Sequence, residues 1–282
     1  MNVDLGITGS RCDRTSVADL LQQLLLPTFV PAEFSWRTTT EMQLLVSVAT
    51  AAEAIAAVEG GADIIDAKDP AMGALGAVRP DVFCEIRTAA RTDQLVTAAL
   101  GDAGDATAIE DLAREFAARG AGLVKVGFAG LVDDRRIEDL IARAAVVCKS
   151  ENPSSGVIAV AYAEMGDAMW LLPIAARAGA RGVLIDTANK SGPGLMTSWR
   201  ATAVESWVAE AHSHGLLAAV AGKLSAQDLL TVSNLGADVA GVRGAACDGG
   251  RSGRVSSERV LALRAVIGQL ASTSFGRRAP RV

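Results

Sequence analysis

The sequence predicts a single α/β domain of the (β/α)8, or TIM-barrel, class, preceded by a short N-terminal extension. Three observations predict it. Eight short, β-rich apolar runs alternate with Ala-rich helical segments over about 225 residues, close to the usual size of such a barrel. A Gly-Ala step recurs along the chain at nearly constant spacing. Neither a G-x-G-x-x-G turn after the first run nor a G-x-x-x-x-G-K-[ST] loop is present to favour a doubly wound open sheet.

Taken in order, residues 1–42 lie outside the pattern; 16–26 has amphipathic helical spacing and 27–36 reads as irregular chain. The first run, 44–49, is followed by a helical segment at 52–58. The second, 63–68, leads through a Gly-rich loop to a helix at 80–90, where Pro80 suits the first turn. Runs at 95–100 and 123–128 precede helical segments 109–118 and 135–148. Runs at 157–162 and 182–187 come before a helix at 199–212, and 217–221 before a helix at 226–235. The eighth run is 239–243. Strands this uniformly apolar are buried on both faces, as in a parallel sheet covered by helices. The expected organisation is an extension over 1–42, a barrel domain over 43–271 and a flexible Arg-bearing tail over 272–282.

Composition excludes several classes of function. Half of the 282 residues are hydrophobic, yet no apolar stretch reaches the roughly 18 residues of a membrane span. A net charge of −5 and only 4% aromatic residues argue against a nucleic-acid partner. The four cysteines, Cys12, Cys84, Cys148 and Cys247, are scattered without a CxxC pair, as expected of reduced thiols in a cytoplasmic protein. The start carries Asp4 and no basic segment ahead of an apolar one, unlike a secretory signal.

The repeat supplies a register. Gly61-Ala62, Gly120-Ala121, Gly179-Ala180 and Gly236-Ala237 open the even-numbered strands at intervals of 59, 59 and 57 residues. Five residues after each Gly stand Asp66, Lys125, Leu184 and Gly241; seven after stand Lys68, Gly127, Asp186 and Arg243. Residues two apart on a strand share a face, so both sets point one way near the carboxyl ends, the catalytic face of such barrels. Only five of the 27 basic side chains are lysines, and four of them (Lys68, Lys125, Lys190 and Lys223) fall at or just after strand ends. Lysine, unlike arginine, can lose its proton and attack a carbonyl. Crowding in an apolar mouth lowers an amine pKa, so the pattern points to Schiff-base chemistry with a second amine for proton transfer. Lys68 is the expected nucleophile, because Asp66 lies two residues earlier on its face.

Barrels of this class often bind phosphate with the loops after strands seven and eight. Gly222 and Lys223 supply the first loop; Arg243, Gly244 and Ala245 open the second, which is Gly-rich to Arg254. Tyr162, the only tyrosine, ends strand five beside Glu164, and contact with substrate and simple packing are both open for it. Asp102 and Asp105 follow strand three without HxH or similar metal-ligand spacing; a magnesium role there is open but unforced, and no metal is assigned. His212 and His214 sit at a helix end away from the rim, and Cys247 has no base nearby in sequence.

At these residues the chain resembles the (5-formylfuran-3-yl)methyl phosphate synthase family. The matching stretches are 60–70, which holds Asp66-Ala67-Lys68-Asp69-Pro70, then Val124-Lys125-Val126-Gly127, Asp186-Thr187-Ala188-Asn189-Lys190, Glu210-Ala211-His212-Ser213 and Val242-Arg243-Gly244-Ala245-Ala246-Cys247. The likeness spans about residues 44–267, and the N-terminal extension departs from it. It implies a lyase that joins two molecules of glyceraldehyde 3-phosphate, with loss of phosphate and water, in methanofuran or methylofuran biosynthesis. Lys68 matches the Schiff-base residue and Lys125 the proton acceptor; Asp66, Asp186 and Lys190 match the other polar residues of the site. The implied scheme needs no cofactor, takes a small sugar phosphate as its partner, and is expected in a homo-oligomer. The competing readings are another Schiff-base aldolase acting on a sugar phosphate and a non-catalytic sugar-phosphate-binding regulator.

Overall fold

The structure is a computed structural model and describes residues 41–275. The extension expected over 1–42 (but for its last two residues), its amphipathic stretch at 16–26, Cys12, and 276–282 of the tail lie outside the described residues.

Eight strands close into a parallel barrel in sequence order: β1 (Gln43–Val48), β2 (Ile64–Ala67), β3 (Leu95–Asp102), β4 (Leu123–Gly127), β5 (Gly156–Tyr162), β6 (Gly182–Asp186), β7 (Leu217–Val220) and β8 (Val239–Val242). Closure is direct, with Leu44 opposite Ala240 across β1 and β8. Outside lie α1 (Ala51–Glu59), α2 (Pro80–Ala89), α3 (Ala106–Ala118), α4 (Asp134–Glu151), α5 (Leu171–Arg177), α6 (Ala201–Ser213), α7 (Ala226–Asn234) and α8 (Ser257–Phe275). Local chemistry sets their starts. Asp105 and Asp133 cap α3 and α4 by accepting amide hydrogen bonds, Pro80 occupies the first turn of α2, and Ser225 with Asp228 forms a capping box on α7.

The Gly-Ala repeat has a physical origin in helix termination. Gly61, Gly120, Gly179 and Gly236 all adopt φ between 77° and 92°. Each donates to the carbonyl three residues back, and the following Ala donates five residues back, as in Gly61 N–H to Val58 and Ala62 N–H to Ala57. This is the Schellman cap, which favours Gly in the left-handed position and turns the chain sharply into the next strand. Four identical turns deliver four strands in one register.

Two apolar layers follow from the alternation of side chains. Outward residues such as Val46, Val124 and Ile185 pack under Phe83, Phe116 and Trp207 of the helices, with the rings of Phe83 and Phe116 centred 5.0 Å apart. Inward residues Ile64, Leu123, Ile158, Leu184 and Val239 fill the lower barrel. Burying each of these larger side chains contributes roughly 1.5–3 kcal/mol.

Two elements differ from the sequence expectation. Helix α5 has only seven residues with Pro173 in its first turn, too short for a periodic signal. Helix α8 continues to Phe275, past the expected domain end at 271.

Candidate active site

The repeat stacks the barrel interior in layers, each built from the four even strands. Three residues after the glycines come Ile64, Leu123, Gly182 and Val239; above them lie Asp66, Lys125, Leu184 and Gly241; above those lie Lys68, Gly127, Asp186 and Arg243. Nearly all of these line one cavity of about 370 Å³ that opens at the carboxyl end of the strands. Lys190, Gly222, Lys223, Gly244 and Ala245 line the same cavity, so the structure brings together all ten residues singled out from sequence. Gly127 stays out of it for a visible reason: a Cβ there would run into Asp102 and the Tyr162 hydroxyl, which close that side of the barrel with Leu75.

Three ion pairs organise the charges. Lys125 Nζ lies 2.5 Å from Asp66 Oδ1, both side chains almost wholly buried. Thr97 Oγ1 also donates to Asp66 Oδ1 at 2.7 Å, and Ser47 Oγ donates to Oδ2 at 2.8 Å. Burial alone would raise the Asp66 carboxyl, but the Lys125 and Lys68 ammoniums and these donors together hold it below the ordinary value. The second pair joins Lys190 Nζ to Asp186 Oδ1 at 2.6 Å, and the Thr187 amide donates to the same oxygen. Against the same burial, Lys190 and Lys68 hold Asp186 below the usual range. The third pair joins Arg243 to Glu53, with Nη1 2.9 Å from Oε2 and Nη2 3.1 Å from Oε1.

Lys68 is different. It is 6% exposed, and its side-chain amine makes no ion pair or hydrogen bond among the described residues. Burial pushes its pKa down to about 8, helped by repulsion from Lys125 and Lys190 and opposed by Asp186 and Asp66. A fraction of its amine is therefore neutral near pH 7. Sequence spacing assigned Asp66 to Lys68, whereas its direct partner is Lys125. Residues two apart on a strand stand nearly 7 Å apart, while the next even strand of the same layer comes within contact.

The loops after the strands supply the rest. Glu164 accepts from the amides of Ala188 and Asn189 at 2.9 and 3.0 Å, bracing the loop that carries Lys190. Lys223 Nζ donates to the Gly192 carbonyl at 2.5 Å, and the Leu195 amide donates to the Gly222 carbonyl at 2.9 Å, tying the loops after β6 and β7 together. Lys223 adopts φ 57°, a left-handed conformation costing roughly 1–2 kcal/mol for a residue with a side chain. The amides of Gly222, Gly244 and Ala245 find no acceptor among the described residues, leaving N–H groups at the rim for an anion.

Arg243 departs from its expected role. Sequence reasoning had it adding charge to a phosphate site. Its Nε instead donates to the Arg251 carbonyl, Nη1 to Ser47 O and Glu53, and Nη2 to Glu53 and Gly253 O. All five N–H donors of a guanidinium are thereby engaged by protein acceptors. Arg243 anchors the loop after β8, which forms a small antiparallel hairpin, β9 (Cys247–Asp248) with β10 (Arg254–Val255). Ser47, Thr97 and Arg251 also line the cavity, although no sequence signal picked them out.

The remaining candidates have structural partners. The Tyr162 hydroxyl donates to Asp102 Oδ1 at 2.8 Å, and burial pushes the phenol pKa far up, followed by the Asp102 charge. Asp105 caps α3. His212 pairs with Asp238 at the opposite end of the barrel, and His214 caps α6. Burial raises the Cys247 thiol.

The sequence model of 4-HFC-P synthase matches residues 44–264. The chain is 36% identical over 234 residues to the (5-formylfuran-3-yl)methyl phosphate synthase of Methanothermobacter thermautotrophicus, covering 80% of this chain and 99% of that one. It is also 36% identical over 229 residues to the protein of that name from Archaeoglobus fulgidus, covering 79% and 97%. Among solved structures it is similar to 3-hexulose-6-phosphate synthase, with TM-score 0.60, 24% identity, and coverage of 80% and 100%. It is similar too to KGPDC from Streptococcus mutans, with TM-score 0.59, 17% identity, and coverage of 82% and 99%. At those identities the structural likeness speaks to the barrel fold alone.

Proposed function

The chain belongs to the 4-HFC-P synthase family, and on that premise we propose that it forms (5-formylfuran-3-yl)methyl phosphate from two molecules of glyceraldehyde 3-phosphate through a Schiff base on Lys68. The observation that carries this reading is the pairing pattern: Lys125 and Lys190 are each bonded to a carboxylate, while Lys68 stands between them unpaired in an apolar cavity. An unpaired, desolvated amine is the group best able to be neutral and attack an aldehyde.

The neutral Lys68 amine adds to the first aldehyde and loses water, and the resulting iminium acidifies the adjacent carbon. The Lys125 ammonium, oriented by Asp66, which is itself fixed by Ser47 and Thr97, gives its proton to the carbinolamine hydroxyl that leaves as water, and the amine left neutral then accepts the proton from that carbon. The resulting enamine either expels phosphate or attacks the second aldehyde. Asp186, held ionised by Lys190, stabilises the cationic nitrogen as it forms. The balance is two trioses phosphate giving one furan, one orthophosphate and two waters, with Lys68 regenerated. The amides of Gly222, Gly244 and Ala245, with Lys223, hold a substrate phosphate. Arg243 acts on this site through the loop it anchors.

No helix among the described residues is long and apolar enough to cross a membrane. The cytoplasmic location, homo-oligomeric state and role in methanofuran or methylofuran synthesis belong to the same proposal. Its test is incubation of the purified protein with glyceraldehyde 3-phosphate alone. A furan aldehyde identified by absorbance and mass, with one orthophosphate released per product, is expected; a plain aldol product or no turnover overturns the reading.

A further inference from the structure

We infer that Arg251 is the anchor for a second substrate phosphate, on the opposite side of the cavity mouth from Lys223. The inference deepens the proposed function and rests on its stoichiometry, because two phosphorylated molecules must occupy one cavity.

The charges of the cavity lead to it. Of its six basic side chains, Lys125, Lys190 and Arg243 are neutralised by Asp66, Asp186 and Glu53. Among the described residues, Lys68, Lys223 and Arg251 have no carboxylate partner. Lys68 must be neutral to attack, which leaves Lys223 and Arg251 as the uncompensated cations for two dianionic groups.

Arg251 is built for the task. It is partly buried, and its Nη2 donates to the carbonyls of Pro70 and Gly73 at 3.3 and 2.9 Å. These neutral acceptors fix the guanidinium without cancelling its charge, and its Nε and Nη1 make no hydrogen bond among the described residues. Its own carbonyl is held 3.0 Å from Arg243 Nε, so the Arg243–Glu53 pair sets the position of the chain that bears it. Gly244 lies against it: a Cβ there would come 3.5 Å from the Arg251 amide and 3.8 Å from its Cβ.

Its placement separates it from the other anion site. Arg251 reaches from the hairpin after β8 to the loop after β2, spanning the β1 side of the mouth. Lys223 is tied through Gly192 to the loop after β6. Strands two and six face each other across an eight-stranded barrel, so the tethers that hold the two cations lie on opposite sides of the mouth, Arg251 on the side of the strand that bears Lys68. The Nε–H and Nη1–H groups that remain can each donate a charge-assisted hydrogen bond to a phosphate oxygen, while Nη2 keeps the guanidinium in place.

The test compares the wild type with Arg251→Gln and Arg251→Lys. First, equilibrium dialysis measures the binding of inorganic phosphate: two ions per wild-type chain and one per Arg251→Gln chain are expected, with Arg251→Lys restoring the second at weaker affinity. Second, the dependence on glyceraldehyde 3-phosphate is followed both for borohydride trapping and for furan formation. In Arg251→Gln the concentration needed for furan formation should rise on the order of tenfold to a hundredfold, the range for loss of a charged hydrogen bond. Two phosphates still bound by Arg251→Gln, or an unchanged concentration dependence of furan formation, would overturn the assignment. Failure of the wild type to make furan would instead defeat the proposed function, and the dialysis result would still judge Arg251.

Discussion

Replacing Glu53 with Gln keeps the shape of the side chain but removes the counter-charge of Arg243. Both side chains are under a tenth exposed, and the guanidinium donates to both oxygens of the carboxylate. Gln can accept at only one atom, so a buried arginine is left with an uncompensated charge and an opposed amide N–H. Breaking a buried pair in this way costs about 3–5 kcal/mol. Glu53 Oε2 also accepts from the Ala49 amide at 2.7 Å, which places the cost at the upper part of that range if the amide is turned away. For a domain of this size each kcal/mol lowers Tm by about 2–4 °C, so a fall of about 6–20 °C is expected. Urea unfolding followed by circular dichroism, with Tm by calorimetry, measures it. The double variant Glu53→Met with Arg243→Met should recover most of the loss, because no charge remains buried, yet furan formation should stay impaired since the β8 hairpin has lost its anchor. A single-variant loss below about 1 kcal/mol, or a double variant as unstable as the single, would refute the reasoning.

The other expectations follow from the same charges. Lys68 binds fewer protons folded than unfolded between pH 8 and 10.5, so its penalty is fully present below pH 8 and fades as pH rises to 10.5. Lys68→Met should therefore gain up to about 3 kcal/mol at pH 7, a gain shrinking above pH 8, as urea titrations at several pH values will report. In the wild type, kcat/KM should climb with pH towards a plateau above about 8 as the neutral amine accumulates. Thr97→Val removes one donor from the Asp66 carboxylate and raises its pKa, so the break below the Lys68 limb at which kcat/KM steepens, as the Asp66 charge is lost, should move to higher pH while Tm changes by a few degrees at most; an unmoved break contradicts the role given to Asp66. A chain beginning at Met42 should keep its rate within about tenfold, or roughly 1.4 kcal/mol of barrier, since the family match begins at residue 44 and no strand-end residue precedes it.

What was legible in the sequence is what the periodicity encodes. The four Schellman glycines mark the even strands, and counting five and seven residues from them reaches the polar layers of the barrel. The scarcity of lysine made four rim amines visible in an Arg-rich chain. Contacts between strands were not legible. Asp66 looked like the partner of Lys68 because they share a strand, but its ion pair reaches across the layer to Lys125. Glu53 gives no sign of its link to Arg243, 190 residues away, and reads as an ordinary helix-start acid. Arg251 was hidden for the same reason: its value lies in carbonyls of the β2 loop that only closure of the barrel brings near. Glu164, two residues past the end of β5, acts on the backbone of the next loop, a role that no side-chain motif announces.

The central claim is that Lys68 carries the covalent intermediate. Borohydride reduction in the presence of glyceraldehyde 3-phosphate, followed by peptide mapping, should place a single triose adduct on Lys68. Lys68→Arg should keep the fold and lose both adduct and turnover. Lys125→Arg should lose turnover while retaining some adduct on Lys68. An adduct mapped to Lys125 or Lys190, or full turnover by Lys68→Arg, would contradict the account.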